Sequence, residues 1–161
     1  MIAKLHRLAL RMAHALRHRW RVLRRTPLEG VTVIACDLQG KVLLVRHSYG
    51  PRGWFLPGGG IGRGERPEQA AVRELREETG CVAEGTRLVG SFEEQVSGSP
   101  HTAHIVTCLT DDDPQPDRRE VIEARFFPTH SLPEPLSPRT AARLAFWRDP
   151  ANAAVGHRSL D

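Results

Sequence analysis

Apolar residues recur at every third or fourth position along the first 25 residues of the chain. This spacing predicts an amphipathic helix over residues 2–25. The Thr26-Pro27 pair should end that helix, because the residue before a proline is pushed out of the helical region. The apolar face comprises Ile2, Leu5, Leu8, Met12, Leu16, Trp20 and Leu23. Most arginines and histidines of the segment lie on the opposite face.

After residue 30 the pattern changes to the short apolar and β-branched runs that are typical of strands. Strands are predicted over 31–37, 41–46, 87–96, 101–110 and 121–127. Helices are predicted over 68–79, between Pro67 and Gly80, and from Ser137-Pro138 to about Trp147. We therefore expect one mixed α/β (α+β) domain over 28–150, preceded by the helical segment 1–27 and followed by a tail over 151–161.

Charge is distributed unevenly along the chain. Residues 1–25 hold eight of the 23 basic residues and no acidic residue, whereas the rest of the chain carries 15 basic and 19 acidic residues. A basic arm is therefore joined to a slightly acidic body. The overall charge of +4 is too small to indicate a nucleic-acid partner by itself.

Composition excludes several classes of protein. A hydrophobic content of 40% suits a globular domain rather than a disordered chain. No apolar run approaches the roughly 20 residues of a membrane span, and Arg7, Arg11 and His14 interrupt the apolar stretch that a secretory signal requires. Three cysteines with no short spacing between them are typical of reduced thiols, which predicts a cytoplasmic protein without a disulfide framework or zinc site.

The basic N-terminal segment has two interpretations. A basic amphipathic helix is typical of peripheral contact with an anionic membrane or of nucleic-acid binding. Alternatively, the apolar face of residues 1–25 docks on the sheet of the same chain or on a second subunit, which would give a homodimer. We favour docking over membrane contact.

A glycine-rich run precedes the first helix of the domain. Five of the seven residues 58–64 are glycine, but the run matches neither the P-loop nor the G-x-G-x-x-G pattern. Glycines there let the backbone turn tightly and approach a ligand or a metal. On the next helix, Glu74, Glu77 and Glu78 fall within an arc of about 100°, while Val72 and Leu75 point elsewhere and are expected to anchor the helix.

Three carboxylates on one helix face repel one another unless cations compensate. Arg73 stands four residues before Glu77 and can pair with it. The larger compensation would come from a divalent metal, because clustered carboxylates and a backbone carbonyl are the ligands that Mg²⁺ or Mn²⁺ prefers. A solvent-exposed Glu/Arg face remains the alternative for the helix taken alone.

The joint pattern of this segment, LPGGGIGRGERPEQAAVRELREETGC, resembles the Nudix box, G-x5-E-x7-R-E-U-x-E-E-x-G-U, in which U is a bulky aliphatic residue. The match runs over residues 59–81 and covers eight of the nine specified positions. Cys81 occupies the last aliphatic position, where it behaves as a small hydrophobe. The resemblance implies an α/β/α sandwich with a mixed sheet, to which the N-terminal amphipathic helix is an addition.

The resemblance also implies the roles of the box residues. Glu77 and Glu78 are expected to be the main ligands of Mg²⁺ or Mn²⁺, with Glu74 as a further ligand or a catalytic base and the carbonyl of Gly58 completing the set. Arg73 would orient the carboxylates of the helix. Gly59 and Glu65 would lie beside the metal cluster, among the residues that contact the substrate.

Other catalytic and binding residues are expected outside the box. Glu94, Glu120 and Glu123 are the candidates for a general base, and we prefer Glu120, at the mouth of a loop. Arg46 and Arg52 are candidates for contacts to phosphate. Trp54 or Phe55 would stack on a base, with plain packing as the alternative.

The resemblance implies a metal-dependent hydrolase that cleaves a diphosphate linkage in a nucleotide derivative. Ser97 and Gly98 stand where hydrolases of ADP-ribose and of dinucleoside polyphosphates often carry Pro and Tyr, and the Pro-Gly-Gly-Gly run lacks the Pro-Gln-Gly-Gly of some RNA 5′-end hydrolases. We prefer ADP-ribose or a nucleoside diphosphate sugar as substrate. The alternatives are a MutT-like nucleoside triphosphate pyrophosphohydrolase and a non-catalytic Nudix nucleotide-sensing module, which the intact carboxylates disfavour.

Overall fold

The computed structural model describes residues 28–96 and 98–149. The strands are β1 (Leu28–Cys36), β2 (Val42–His47), β3 (Gly58–Gly60), β4 (Glu84–Val96), β5 (Ser99–Leu109) and β6 (Val121–Phe127), and the helices are α1 (Pro67–Thr79) and α2 (Pro138–Arg148). The predicted N-terminal helix and the predicted tail lie outside the described residues. None of the helices within the described ranges is long and apolar enough to span a membrane.

The six strands form one mixed sheet in the order β4-β5-β1-β2-β6, with β3 also paired to β1. Strand β1 runs parallel to β5 and antiparallel to both β2 and β3. Its residue Val31 stands opposite His104 of β5 on one side and Gly59 of β3 on the other. The start of β1 is therefore the place where the glycine-rich run joins the sheet.

Neighbouring residues of β1 face opposite sides of the sheet, because side chains alternate along a strand. Val33 packs in the apolar cluster that contains Leu75 of α1, whereas Ile34 packs in the cluster that contains Leu144 of α2. All four side chains are at most 1% exposed. The sheet thus lies between two helices, which confirms the predicted α/β/α sandwich with a mixed sheet.

The ends of α1 follow the signals in the sequence. Pro67 begins the helix, and the Gln69 side chain accepts a hydrogen bond from the backbone N–H of Arg66 at 3.0 Å. Gly80 ends the helix in the left-handed region, with φ at 73°. The prediction for Val72 is wrong: the residue is 38% exposed, because α1 packs through Ala70, Ala71 and Leu75 instead.

Strand β3 was not predicted, since a run of glycines has no apolar pattern. Gly58 has φ at 148°, and a Cβ built on it would stand 2.1 Å from the carbonyl oxygen of Val31. Only glycine therefore allows this pairing of β3 with β1. The pairing brings the glycine-rich run between the edge of β1 and the carboxylates of α1.

The three cysteines, Cys36, Cys81 and Cys108, are buried and free. Burial raises the pKa of the Cys36 thiol to about 11 and that of Cys108 to about 12. Both thiols are therefore unreactive core residues.

Candidate active site

The carboxylates of α1 differ sharply in exposure. Glu78 is only 8% exposed and accepts a hydrogen bond from the backbone N–H of Gly58 at 3.1 Å. Burial raises the pKa of Glu78 to about 8. Burial also raises the pKa of Glu74, against the lowering effect of Arg73, whereas the side chain of Glu77 is 62% exposed. The helix therefore turns two of its three predicted acids into the protein.

Arg73 ties these acids to the preceding loop. Its Nε and Nη2 donate to the two oxygens of Glu65, both at 2.9 Å, and its Nη1 donates to Glu74 at 2.7 Å. Nη2 also reaches the carbonyl oxygen of Gly60 at 2.9 Å, and Nη1 lies 3.6 Å from Glu77. The guanidinium holds the pKa of Glu65 at about 2. Arg73 thus contacts Glu65, Glu74 and Glu77 at once, and its orienting role stays a prediction.

Gly59 lies directly against the carboxylate of Glu74. A Cβ built on Gly59 would stand 2.5 Å from the Glu74 carboxyl carbon, closer than real contacts allow. The absence of a side chain at this position therefore lets the carboxylate approach the backbone of β3.

Glu120 lines a cavity of about 870 Å³ that Glu74, Glu77 and Glu78 of α1 also line. Its carboxylate accepts a hydrogen bond from the phenol of Tyr49 at 3.2 Å. The charge of Glu120 contributes to the raised pKa of Glu78 and of Glu74. The structure thus brings together the preferred base and the three acids of the box.

The loop before β6 fixes the position of Glu120. Oδ1 of Asp117 accepts backbone N–H groups of Arg119, Glu120 and Val121 at 3.0, 3.1 and 2.9 Å. This side chain folds the loop into a tight turn, in which Arg118 adopts a positive φ of 59°. The role of Asp117 was not predicted, although an Asp three residues before Glu120 is a turn signal in retrospect.

The other two candidate bases have different partners. Glu123 pairs with Arg46 at 3.0 Å and with Arg125 at 2.7 Å. Glu94 lines the cavity but accepts a hydrogen bond from Arg143 at 3.0 Å, so its carboxylate is occupied by a cation. Glu120 is therefore the candidate that geometry favours.

The predicted phosphate and base contacts lie elsewhere. Arg46 and Arg52 line a neighbouring pocket around residues 46–53, which shares His47 and Tyr49 with the cavity of the acids. Arg46 also stands over the Trp54 ring at 5.7 Å. Phe55 packs against the apolar core on the α1 side and near His47. The structure does not bring these three residues to the cavity that holds the acids, so their contact with substrate stays a prediction.

Sequence reasoning also missed several residues that line this cavity. They are His47, Tyr49, His101, Arg139 and Arg143. Arg139 and Arg143 are four residues apart on a predicted helix, which indicated a common face but not what that face would meet.

The donor set of the cavity fits a divalent cation by its chemistry. The groups around Glu74 and Glu78 are carboxylates and backbone carbonyls, the ligands that Mg²⁺ and Mn²⁺ prefer. Burial and the neighbouring carboxylates of Glu74 and Glu120 both raise the pKa of Glu78, and a bound cation would offset this repulsion. Within the described part of the chain, no three His, Cys, Asp or Glu side chains already converge as a preassembled metal site. Glu74 and Glu77 instead turn towards Arg73.

Known proteins resemble this chain in sequence and in fold. A family model described as the NUDIX domain matches residues 26–147. An RNA pyrophosphohydrolase of Photorhabdus laumondii is 46% identical over 61 residues, which are 38% of this chain and 34% of that relative. The match thus spans about a third of the length of such curated relatives.

Solved structures resemble the fold over a longer stretch. A MutT NUDIX hydrolase from Burkholderia pseudomallei is 25% identical, with a TM-score of 0.66 over 74% of this chain and 97% of that chain. A UDP-X diphosphatase is 28% identical, with a TM-score of 0.62 over 83% of this chain and 66% of that chain.

Proposed function

The chain belongs to the Nudix family, and from that membership we propose that it is a metal-dependent hydrolase that cleaves a diphosphate linkage in a nucleotide derivative. The observation that supports this most directly is the meeting of Glu74, Glu77, Glu78 and Glu120 around one cavity. A non-catalytic sensing module has no need of this complete set of carboxylates.

The acids of α1 and the carbonyl of Gly58 would hold Mg²⁺ or Mn²⁺, which when bound neutralises charge on the phosphate oxygens and lowers the pKa of water. Arg73 orients Glu74 and Glu77 by ion pairs from the same helix. Glu120 accepts a proton from the attacking water at its carboxylate, as a general base. Attack of that water on phosphorus breaks the bond between phosphorus and the bridging oxygen.

Two observations support a nucleoside diphosphate derivative, such as ADP-ribose or a nucleotide sugar, as the substrate. The UDP-X diphosphatase is the more similar in sequence of the two solved structures compared above. A volume of about 870 Å³ also has room for a ligand of that size. The MutT protein supports nucleoside triphosphates as the second candidate. The cytoplasmic location and a homodimer remain predictions.

A substrate panel tests the proposal. Phosphate release would be measured from ADP-ribose, UDP- and GDP-sugars, dinucleoside polyphosphates, NADH, nucleoside triphosphates and 5′-triphosphate RNA, with Mg²⁺, Mn²⁺ or EDTA and a coupled phosphatase. We expect metal-dependent turnover of one class, lowered at least ~10²-fold by Glu77→Gln. Glu68→Gln is the matched control, because Glu68 lies in the first turn of the same helix, outside the cavity. No turnover above background on any substrate would refute the hydrolase, whereas equal metal-dependent rates for the wild type and Glu77→Gln would refute the role of Glu77.

A further inference from the structure

The cavity is also lined by two positively charged residues, which come from α2 on the other face of the sheet from α1. Arg139 and Arg143 are the Lys or Arg residues that line the cavity among the described residues, and they lie one helical turn apart on α2. The other charged residues of the lining are all carboxylates. These are Glu29, Glu74, Glu77, Glu78, Glu94 and Glu120.

The two arginines share one carboxylate. Arg143 donates from Nη2 to Oε1 of Glu94 at 3.0 Å, and Nε of Arg139 lies 3.6 Å from Oε2 of the same residue. His101 is close to Glu94 as well, with Nδ1 3.2 Å from Oε1. Burial lowers the pKa of His101, so the imidazole is neutral at pH 7. We call these four residues the Glu94 cluster, and its net charge is one positive unit.

The guanidinium of Arg143 has few hydrogen-bond partners in the part of the chain that the structure describes. The side chain of Arg143 is only 16% exposed, and a guanidinium largely removed from water needs protein or ligand acceptors in place of water. Among residues 28–96 and 98–149, Arg143 donates a hydrogen bond to Glu94 alone, although a guanidinium carries five N–H donors. Arg139 is 54% exposed and adds a second set of donors on the same side of the helix.

We propose that Arg139 and Arg143 bind an oxyanion of the substrate that lies outside the scissile diphosphate. The proposal rests on the proposed function, because it assigns the part of the substrate that the Glu94 cluster recognises. The acids of α1 bind a diphosphate only through divalent metal, whereas guanidinium groups bind an oxyanion directly, often in a bidentate manner. The substrate class is therefore a nucleotide derivative with an additional acidic group, either a carboxylate on the second moiety or a third phosphate.

A matched pair of ligands isolates that acidic group. UDP-glucuronate and UDP-glucose differ by a carboxylate in place of a hydroxymethyl group, and ATP and ADP differ by one phosphate. For each pair we would measure KM and kcat, and Kd by isothermal titration calorimetry. The wild type is expected to prefer the acidic member of at least one pair about tenfold in Kd and kcat/KM, which corresponds to one charge-assisted hydrogen bond. The pair that shows the preference distinguishes a carboxylate from a phosphate.

Substitutions in the Glu94 cluster test whether its arginines cause the preference for the acidic ligand. Arg139→Gln and Arg143→Gln should bring the ratio of the dissociation constants of the neutral and acidic ligands towards one. These substitutions should change KM rather than kcat. Glu94→Gln should increase the ratio, because it frees both guanidinium groups. Arg148→Gln is the control, since Arg148 is an exposed residue in the last turn of α2 that donates to the carbonyl of Thr129, away from the cavity. Arg139 is more exposed than Arg143, so its variant tests the proposal even if Arg143→Gln unfolds.

Three results would overturn the proposal. They are equal binding of the acidic and neutral ligands by the wild type, no binding of either ligand, and equal losses for both ligands in Arg139→Gln. Calorimetry tests the binding of the acidic ligand independently of hydrolase activity. A protein that turns over no ligand, yet binds the acidic ligand more tightly through Arg139, retains the anion site and loses only the enzymatic function.

Discussion

The backbone of Gly59 and the carboxylate of Glu74 are in such close contact that a single methyl group on Gly59 would stand 2.5 Å from the carboxyl carbon. The contact joins the first residue of the box motif to an acid that follows 15 positions later. The neighbouring Gly60 is different, because a Cβ built there meets nothing within 4 Å. A side chain is therefore sterically excluded by Glu74 at Gly59, whereas the adjacent Gly60 has space for one.

Gly59→Ala is accordingly expected to displace the carboxylate of Glu74 and to lower kcat by about 10²-fold, the cost of a misplacement of about 1 Å at a reacting centre. Gly60→Ala is the control, and its kcat should stay within about twofold of the wild type. Steady-state kinetics on the best substrate of the panel checks both, and thermal unfolding shows whether each variant folds. Equal activity of the two variants would mean that the position of Glu74 is not critical.

Glu120→Gln tests the general base. The amide keeps a hydrogen-bond acceptor for Tyr49 but cannot take the proton of water, so kcat should fall by about 10²- to 10⁴-fold. Glu123→Gln is the control three residues along the same segment, where the carboxylate pairs with Arg46 and Arg125 instead. If both variants have wild-type kcat, Glu120 is not the general base.

The box residues were predictable because local spacing fixes them. Pro67 and Gly80 mark the ends of α1, and the helical period then places Glu74 and Glu78 on one face whatever the rest of the chain does. The ends of β6 were predicted correctly for a similar reason, since the strand follows a polar loop and Pro128 comes directly after Phe127.

The parts of the site outside α1 could not be predicted, because long-range packing decides them. Arg143 meets Glu94 across 49 positions of sequence, and this contact depends on how α2 lies on the sheet. Arg46 is a plausible phosphate contact by sequence, but its partner Glu123 lies 77 positions away on β6. The choice between Glu120 and Glu123 likewise depends on the turn that Asp117 forms.

Asp117 is expected to act as a positioning residue for Glu120. Asp117→Ala removes the acceptor of three backbone N–H groups, so the loop should loosen and kcat should fall by about tenfold or more. Asp117→Asn keeps a side-chain oxygen and should restore most of kcat. A role limited to stability would instead lower the melting temperature of Asp117→Ala while leaving kcat unchanged, and kinetics beside thermal unfolding separates the two cases.

His101 should make the stability of the fold depend on pH. It lies on β5 between Glu94 of β4, Arg139 and Arg143 of α2, and the backbone of Gly30 on β1, where a Cβ would stand 2.9 Å from its Nε2. Burial lowers the pKa of His101 in the folded protein, so the unfolded chain binds more protons once pH falls below about 6.5. The stability that depends on neutral His101 is therefore fully present above that pH and is lost as pH falls.

Thermal unfolding between pH 5.5 and 7.5 measures this contribution. His101→Gln removes the titrating group, so its melting temperature should fall less on acidification than that of the wild type, by a difference on the order of a few °C. His130→Gln, at an exposed position of the loop after β6, controls for the loss of a histidine. Equal pH dependence in the wild type and His101→Gln would mean that Glu94 compensates fully for protonation of the ring, and the Glu94 cluster would then carry a second positive charge at acidic pH.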